Sequence, residues 1–178
     1  KALLSRSDSR HPQSIRLIME HDLAPVAATA AAPATAALST PRIALRPHDA
    51  LPWLLLPQGV ALEILIDAST IRVPNTNTWF HGVVSQRGNL LPIFDLSLWA
   101  GLHSAADRQR QVVVVGLESR LFGVLSDTTP ALLHIEDTGE RQATYTGPLS
   151  PYLSRMRSNG REEAYEFDAS AWLSRVSR

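Results

Sequence analysis

The chain has 178 residues, 44% of them hydrophobic, with 17 Lys+Arg against 17 Asp+Glu and no Cys. Balanced charge excludes a nucleic-acid binder that works by bulk phosphate attraction, and the lack of Cys removes disulfides, thiolate metal sites and cysteine nucleophiles. Lys1 is the single lysine, so Schiff-base chemistry and a phosphate-loop lysine are excluded as well.

Taken from the start, residues 1–40 read as a tether of low order. Arg6, Asp8 and Arg10 interrupt any secretory-signal core, and residues 24–37 are Ala-rich with Pro25 and Pro33 breaking helix propagation. A helix over 15–23 is the minority alternative. No stretch approaches the ~18 consecutive apolar residues of a bilayer span, so direct membrane insertion is not expected.

Residues 41–178 read as the folded domain. Weak alternation predicts a short strand over 42–46, and the apolar run 51–56, bounded by Pro52 and Pro57, a second strand paired with it across the turn at Pro47–Ala50. Apolar spacing at Val60, Ile64 and their neighbours predicts a short helix over 58–66, and Thr70–Val73 a strand. Val83–Val84 and Leu90–Phe94 then flank a charged corner whose Gly88 and Asn89 supply turn chemistry, a hairpin pattern. Asp95 is placed to cap a helical segment over 96–100, which Gly101 stops.

A polar loop over 103–111 leads to a second hairpin, Val112–Val115 against Leu121–Leu125, followed by a strand at Ala131–Ile135. Leu149, Tyr152, Leu153 and Met156 are spaced as a helix face. A strand over 165–168 and a helix over 169–176 capped by Asp168 close the chain. Many short strands at regular spacing favour small barrels over a parallel sheet.

The chemistry-bearing residues are sparse. The six His are scattered with no local pair, so no metal site is expected, and His134 alternates to the outside of its strand. Neither a G-x-S-x-G elbow nor a G-x-G-x-x-G cradle is present. No cofactor and no catalytic residue are expected, and a small hydrolase using His81 or Ser85 is the enzymatic alternative. Arg87 at the corner calls for a nearby carboxylate. Trp53, Trp99 and Trp172 read as core, whereas Trp79, after the polar turn 75–78, either covers a groove or supports the corner.

Gly82, Val83, Arg87, Gly88, Leu91, Pro92, Asp95 and Leu96 stand where the CheW-like domain has its signature, close to G-V-I-N-L-R-G-x-I-L-P-V-I-D-L. Ser85 and Gln86 depart from it. The succession Val60-Ala-Leu-Glu63-Ile64, Ile71-Arg-Val-Pro74, Trp79, Gly82, then Asp127 and the closing strand–Asp–helix extends the resemblance over about 42–176. It implies a mainly β fold of two packed five-stranded small β-barrels with short edge helices. It also implies a non-catalytic adaptor without cofactor, joining the cytoplasmic tip of methyl-accepting receptors to a CheA-type histidine kinase. Such an adaptor sits in the cytoplasm at membrane-associated receptor arrays and serves bacterial chemotaxis or twitching motility. The W-F-x-G-V and L-L-P-I-F-D-L wording leans towards type IV pilus systems.

Partner contacts are then expected from Val83, Val84, Ser85, Gln86, Arg87, Gly88 and Trp79, with Gly82, Pro92, Asp95 and Leu96 as structural residues. The alternative is a degenerate family member that scaffolds another complex through the 1–40 tether.

Overall fold

The computed structural model describes residues 14–17, 40–103, 110–117, 120–135, 141–142, 144–158 and 162–177. These form two sheets. The first has the order β1-β4-β7-β8-β6-β5, from Ser14–Leu17 (β1), Ala61–Leu65 (β4), Phe80–Gln86 (β5), Asn89–Phe94 (β6), Gln111–Leu117 (β7) and Arg120–Ser126 (β8). The second has the order β10-β11-β12-β3-β2-β9, from Thr40–Leu45 (β2), Trp53–Leu55 (β3), Ala131–Ile135 (β9), Arg141–Gln142 (β10), Leu153–Ser158 (β11) and Glu163–Phe167 (β12). Helices α1, Leu96–Trp99, and α2, Ala169–Val176, lie at the ends of β6 and β12. Each sheet is thus five strands plus one short outer strand; the expected mainly β architecture of two packed five-stranded units with edge helices is observed, but the strand pairings among the described residues leave both as open sheets and do not close the expected barrels.

Apolar runs longer than alternation allows are explained by burial on both faces. Along β7, Val113 and Val115 enter a core shared by the two sheets, while Val112 and Val114 enter a second core inside the first sheet. Leu54 and Leu56 likewise face the shared core, and Leu55 a small core of the second sheet. Trp172 of α2, fully buried, seals the shared core against Phe94, Phe122 and Phe167.

Several local readings are corrected. Residues 61–65 are a strand, not part of a helix, because pairing with β7 on one side and β1 on the other overrides the local spacing. Residues 70–73 contribute only the single bridge Ile71↔Val83. The helix expected over 149–156 is a 3₁₀ turn, Ser150–Tyr152, running into β11. A register shift between Leu153 and Met156 turns both inward, so a β-bulge imitates helical spacing. Within the expected tether, Ser14–Leu17 form a strand where the alternative was a helix; the rest of 1–39 lies outside the described residues, as does most of the loop 103–111.

Candidate functional site

The β5–β6 hairpin pairs Gln86 with Asn89, leaving Arg87 and Gly88 as a two-residue loop. Their φ values are +50° and +82°, the double positive φ of a type I′ turn, whose twist suits the flanking strands. The turn therefore sits one residue earlier than Gly88–Asn89. An arginine in left-handed conformation costs about 1–2 kcal/mol, so something must hold it.

Glu63 on β4 does so. Arg87 Nη2 donates to its Oε1 at 3.1 Å, and Gln86 Nε2 donates to its Oε2 at 2.9 Å. The Glu63 side chain is 11% exposed and Arg87 is 61% exposed, so screening limits the ion pair to ~1 kcal/mol or less. Its main effect is positional: β4 and β5 lie at opposite ends of the five main strands of the first sheet, and Glu63 ties the corner back to β4. The carboxylate expected near Arg87 is thus identified.

Gly82 answers a different demand. A Cβ there would lie 2.3 Å from the Ile71 carbonyl oxygen, and its φ is +136°. Ile71 exchanges two backbone hydrogen bonds with Val83, at 2.8 and 2.9 Å, so segment 70–73 crosses directly over the glycine. Pro92, opposite Val83, lies just before β6 begins its parallel pairing with β8 at Ile93, where its missing N–H leaves no ladder gap.

Asp95 caps α1 by accepting from Ser97 N at 3.0 Å and Leu98 N at 3.1 Å. It also receives both terminal nitrogens of Arg110, whose Nε donates to Asp127 Oδ1 at 2.7 Å. The two carboxylates are almost fully buried. Burial alone would raise the Asp95 pKa, but hydrogen bonds from Arg110, Ser97 and Leu98 outweigh it and hold the value below the usual carboxylate range. Desolvation would lower the Arg110 value, and the two aspartates reverse that. Asp127 N–H donates to Pro47 O at 2.9 Å, so the triad links the hairpin's end to the second sheet. Arg110 was not singled out by sequence; it is 15 and 17 residues from its partners, and no local pattern signals such pairing.

The remaining candidates fall into distinct places. Leu96, the first residue of α1, is buried in the shared core, and Val84 is 1% exposed and points into the core of the first sheet, supporting the corner from inside. Val83 and Gln86 are half-buried; Ser85 and Gly88 are exposed. Trp79 is half-buried, 5.0 Å from the Trp99 ring and 6.2 Å from Phe94, and its carbonyl accepts from Asp95 N at 2.7 Å. It supports the end of the hairpin. Trp53 is half-buried and Trp99 packs against the shared core.

Beside the corner lies a groove of about 240 Å³ between β4, β6, β7 and β8. Ala61, Leu62, Leu91 and Val114 supply apolar lining, and Glu63 and Arg87 line it as well. Leu90 and Leu121 border it at 70% and 56% exposure; with the bridging Ile71 at 61% they are the three most exposed large apolar side chains among the described residues. Adjacent exposed leucines around a concave apolar surface are the form of a protein-docking site.

His81 and Ser85 do not form a hydrolytic pair. They are four residues apart on one strand, roughly 13 Å, too far to share a proton. Burial and then Arg72 lower the His81 pKa, which favours neutral imidazole. Among the described residues no cluster of His, Asp and Glu could hold a metal ion, and no helix is long and apolar enough to cross a membrane. His134 is exposed on β9, as its alternation predicted.

Comparison with known proteins places this geometry in context. The family model described as CheW-like domain matches residues 53–173. Protein PilI of Pseudomonas aeruginosa is 29% identical over 104 residues, covering 57% of this chain and 58% of that protein. Chemotaxis protein CheW of Rhizobium meliloti is 33% identical over 66 residues, covering 36% of this chain and 43% of the relative. The chain thus spans less than two thirds of either relative. The crystal structure of the scaffolding protein TtCheW from Thermoanaerobacter tengcongensis superposes with a TM-score of 0.61 at 15% identity, over 72% of this chain and 90% of that one, a likeness of fold.

Proposed function

Because the chain belongs to the CheW-like domain family, we propose that it is a non-catalytic adaptor that couples receptor tips to a CheA-type histidine kinase. The observation that carries this reading is the Arg87–Gly88 corner, clamped by Glu63 and bordered by the exposed Leu90 and Leu121. The clamp fixes the charged tip relative to the apolar groove before any partner arrives, so less order is lost on docking. Leu90 and Leu121 supply the desolvation, at ~25 cal/mol per Å² of apolar surface before ordering costs. Arg87, mostly exposed, supplies the orientation.

In this reading the protein works by geometry. It holds two partners at a fixed separation and transforms neither. Of the residues expected at the contact, Val83, Ser85, Gln86, Arg87 and Gly88 act at the surface, while Val84 and Trp79 act by holding the hairpin rigid. Gly82, Pro92, Asp95 and Leu96 set its path. The similarity to PilI and the W-F-x-G-V wording support a type IV pilus chemosensory system over a flagellar one. Work at receptor arrays on the cytoplasmic side follows from the same reading.

The test is reconstitution with a CheA-type histidine kinase and a methyl-accepting receptor from the same organism. Wild-type protein brings both into one sedimenting assembly. Arg87→Glu, at a side chain 61% exposed, loses that assembly while still unfolding in one cooperative transition, lowered only by the lost Glu63 contact. An Arg87→Glu variant that couples as well as wild type removes the corner from the mechanism.

A further inference from the structure

Leu121 belongs to two surfaces. Besides the groove at the corner it lines a larger, open one of about 570 Å³. Trp79, Phe80 and Phe94 line this second groove from the hairpin, and Leu173 and Val176 from α2. Trp79, Phe80 and Val176 are half-buried and Leu121 is exposed, so apolar surface stays in contact with water between the hairpin and α2.

Arg120 is the one charged side chain that lines it. Its Nη2 donates to Ser170 Oγ at 2.9 Å and its Nη1 to Ser174 Oγ at 3.4 Å. Ser174 Oγ in turn donates to Ser170 O at 2.8 Å. Hydroxyls orient a cation without neutralising it, and these two leave most of the guanidinium's N–H donors unused. Among the described residues no carboxylate pairs with Arg120, whereas Glu63 answers Arg87 and two aspartates answer Arg110. An oriented, uncompensated cation at the wall of an apolar groove favours a negative group that arrives with apolar neighbours.

We infer that this groove is a second docking surface, for a peptide segment of a partner protein in which a carboxylate is flanked by bulky apolar side chains. The carboxylate pairs with Arg120, whose planar fork suits two-point contact. The flanking side chains cover Trp79, Phe80 and Leu121. A neutral apolar segment is discriminated against, because covering Arg120 without a partner strips its water and returns no bond. A small organic ligand is a poorer match: such ligands need most of their surface enclosed, and this groove is open. The inference stands on the lining and charge of this groove alone. Its test uses neither kinase nor receptor, so it and the corner assignment fail separately.

The probes are a capped pentapeptide Leu-Phe-Glu-Leu-Leu and its analogues with Gln or Lys in place of Glu, each titrated into nitrogen-15-labelled full-length protein and followed by NMR. The Glu peptide is expected to shift the amide signals of Leu121, Leu173 and Val176 and the indole N–H of Trp79. It is expected to bind about tenfold more tightly than the Gln peptide, the scale of one hydrogen bond to a charged group. Arg120→Gln, at an exposed side chain, is expected to bind the two equally, and Arg120→Glu to prefer the Lys peptide. Shifts that map elsewhere, no shift with millimolar peptide, or a Glu preference that persists in Arg120→Gln overturns the proposal. So does a wild-type dimer in sedimentation that Arg120→Gln dissolves, since the occupant is then a second copy of this chain. Should neither variant fold, equal binding of the Glu and Gln peptides to wild type still overturns it.

Discussion

Gly82→Ala tests how the hairpin is built. The added methyl group would sit 2.3 Å from the Ile71 carbonyl oxygen and 3.0 Å from Thr70 Cγ2, and backbone does not yield as a flexible side chain does. A φ of +136° costs a non-glycine residue ~1–3 kcal/mol. Relieving the clash moves segment 70–73 and endangers two hydrogen bonds, at 2.8 and 2.9 Å, each worth a net ~0.5–1.5 kcal/mol. The expected loss is ~2–5 kcal/mol, or a fall in Tm of roughly 5–15 °C for a chain of this size. Gly88→Ala is the matched control, with φ +82° but nothing within 4 Å of the new methyl group; it costs only the left-handed term, ~1–2 kcal/mol. Urea and thermal melts of the three proteins measure both. Equal losses for the two variants, or a Gly82→Ala melt within about 1 °C of wild type, would refute the close-approach argument.

Other perturbations separate scaffold from surface. Asp95→Asn removes one charge of a buried pair and is expected to cost ~3 kcal/mol, the low end of the range for such pairs, because Asp127 still accepts from Arg110. The Asp95 pKa is depressed on folding, so its contribution is present above the unfolded value near 3.9 and is lost as pH falls through the folded one. Wild-type stability should therefore fall more steeply below about pH 4 than that of Asp95→Asn, read by urea melts across that window. Leu121→Ser and Leu90→Ser change exposed side chains and are expected to shift stability by no more than ~0.5 kcal/mol, while kinase or receptor binding, read by calorimetry, drops at least tenfold. Trp172→Ala, in a core shared by both sheets, should cost ~3–5 kcal/mol and leave one cooperative transition; two separated transitions would show that the sheets melt independently.

The legible and illegible parts of the sequence divide on physical grounds. Val112–Val115 and Leu121–Leu125 announced their hairpin because strands buried on both faces are dense in β-branched and bulky residues. Asp168 capping α2, with Ala171 N donating at 2.8 Å, was readable because capping is local. The misread helix over 149–156 had a different origin: a bulge placed Leu153 and Met156 on one face, and residues three apart on one face look helical. At 58–66 the deciding contacts came from β7 and β1, nearly fifty residues away on either side.

The candidate site shows the same division. Its glycines, its Arg87 and the need for a carboxylate beside it could be read, but which carboxylate could not, since Glu63 is 24 residues earlier. The groove was hidden because Leu90 and Leu121 carry the same letters as core leucines.

In the proposed function the corner couples two partners while doing no chemistry. Single-turnover autophosphorylation of the partner histidine kinase tests it directly, measured with receptor present and with increasing amounts of this chain. A receptor-dependent change in kinase rate is expected that requires this chain at near-stoichiometric amounts and vanishes with Arg87→Glu while that variant stays cooperatively folded. A rate indifferent to the chain, or an effect at catalytic amounts, would contradict it.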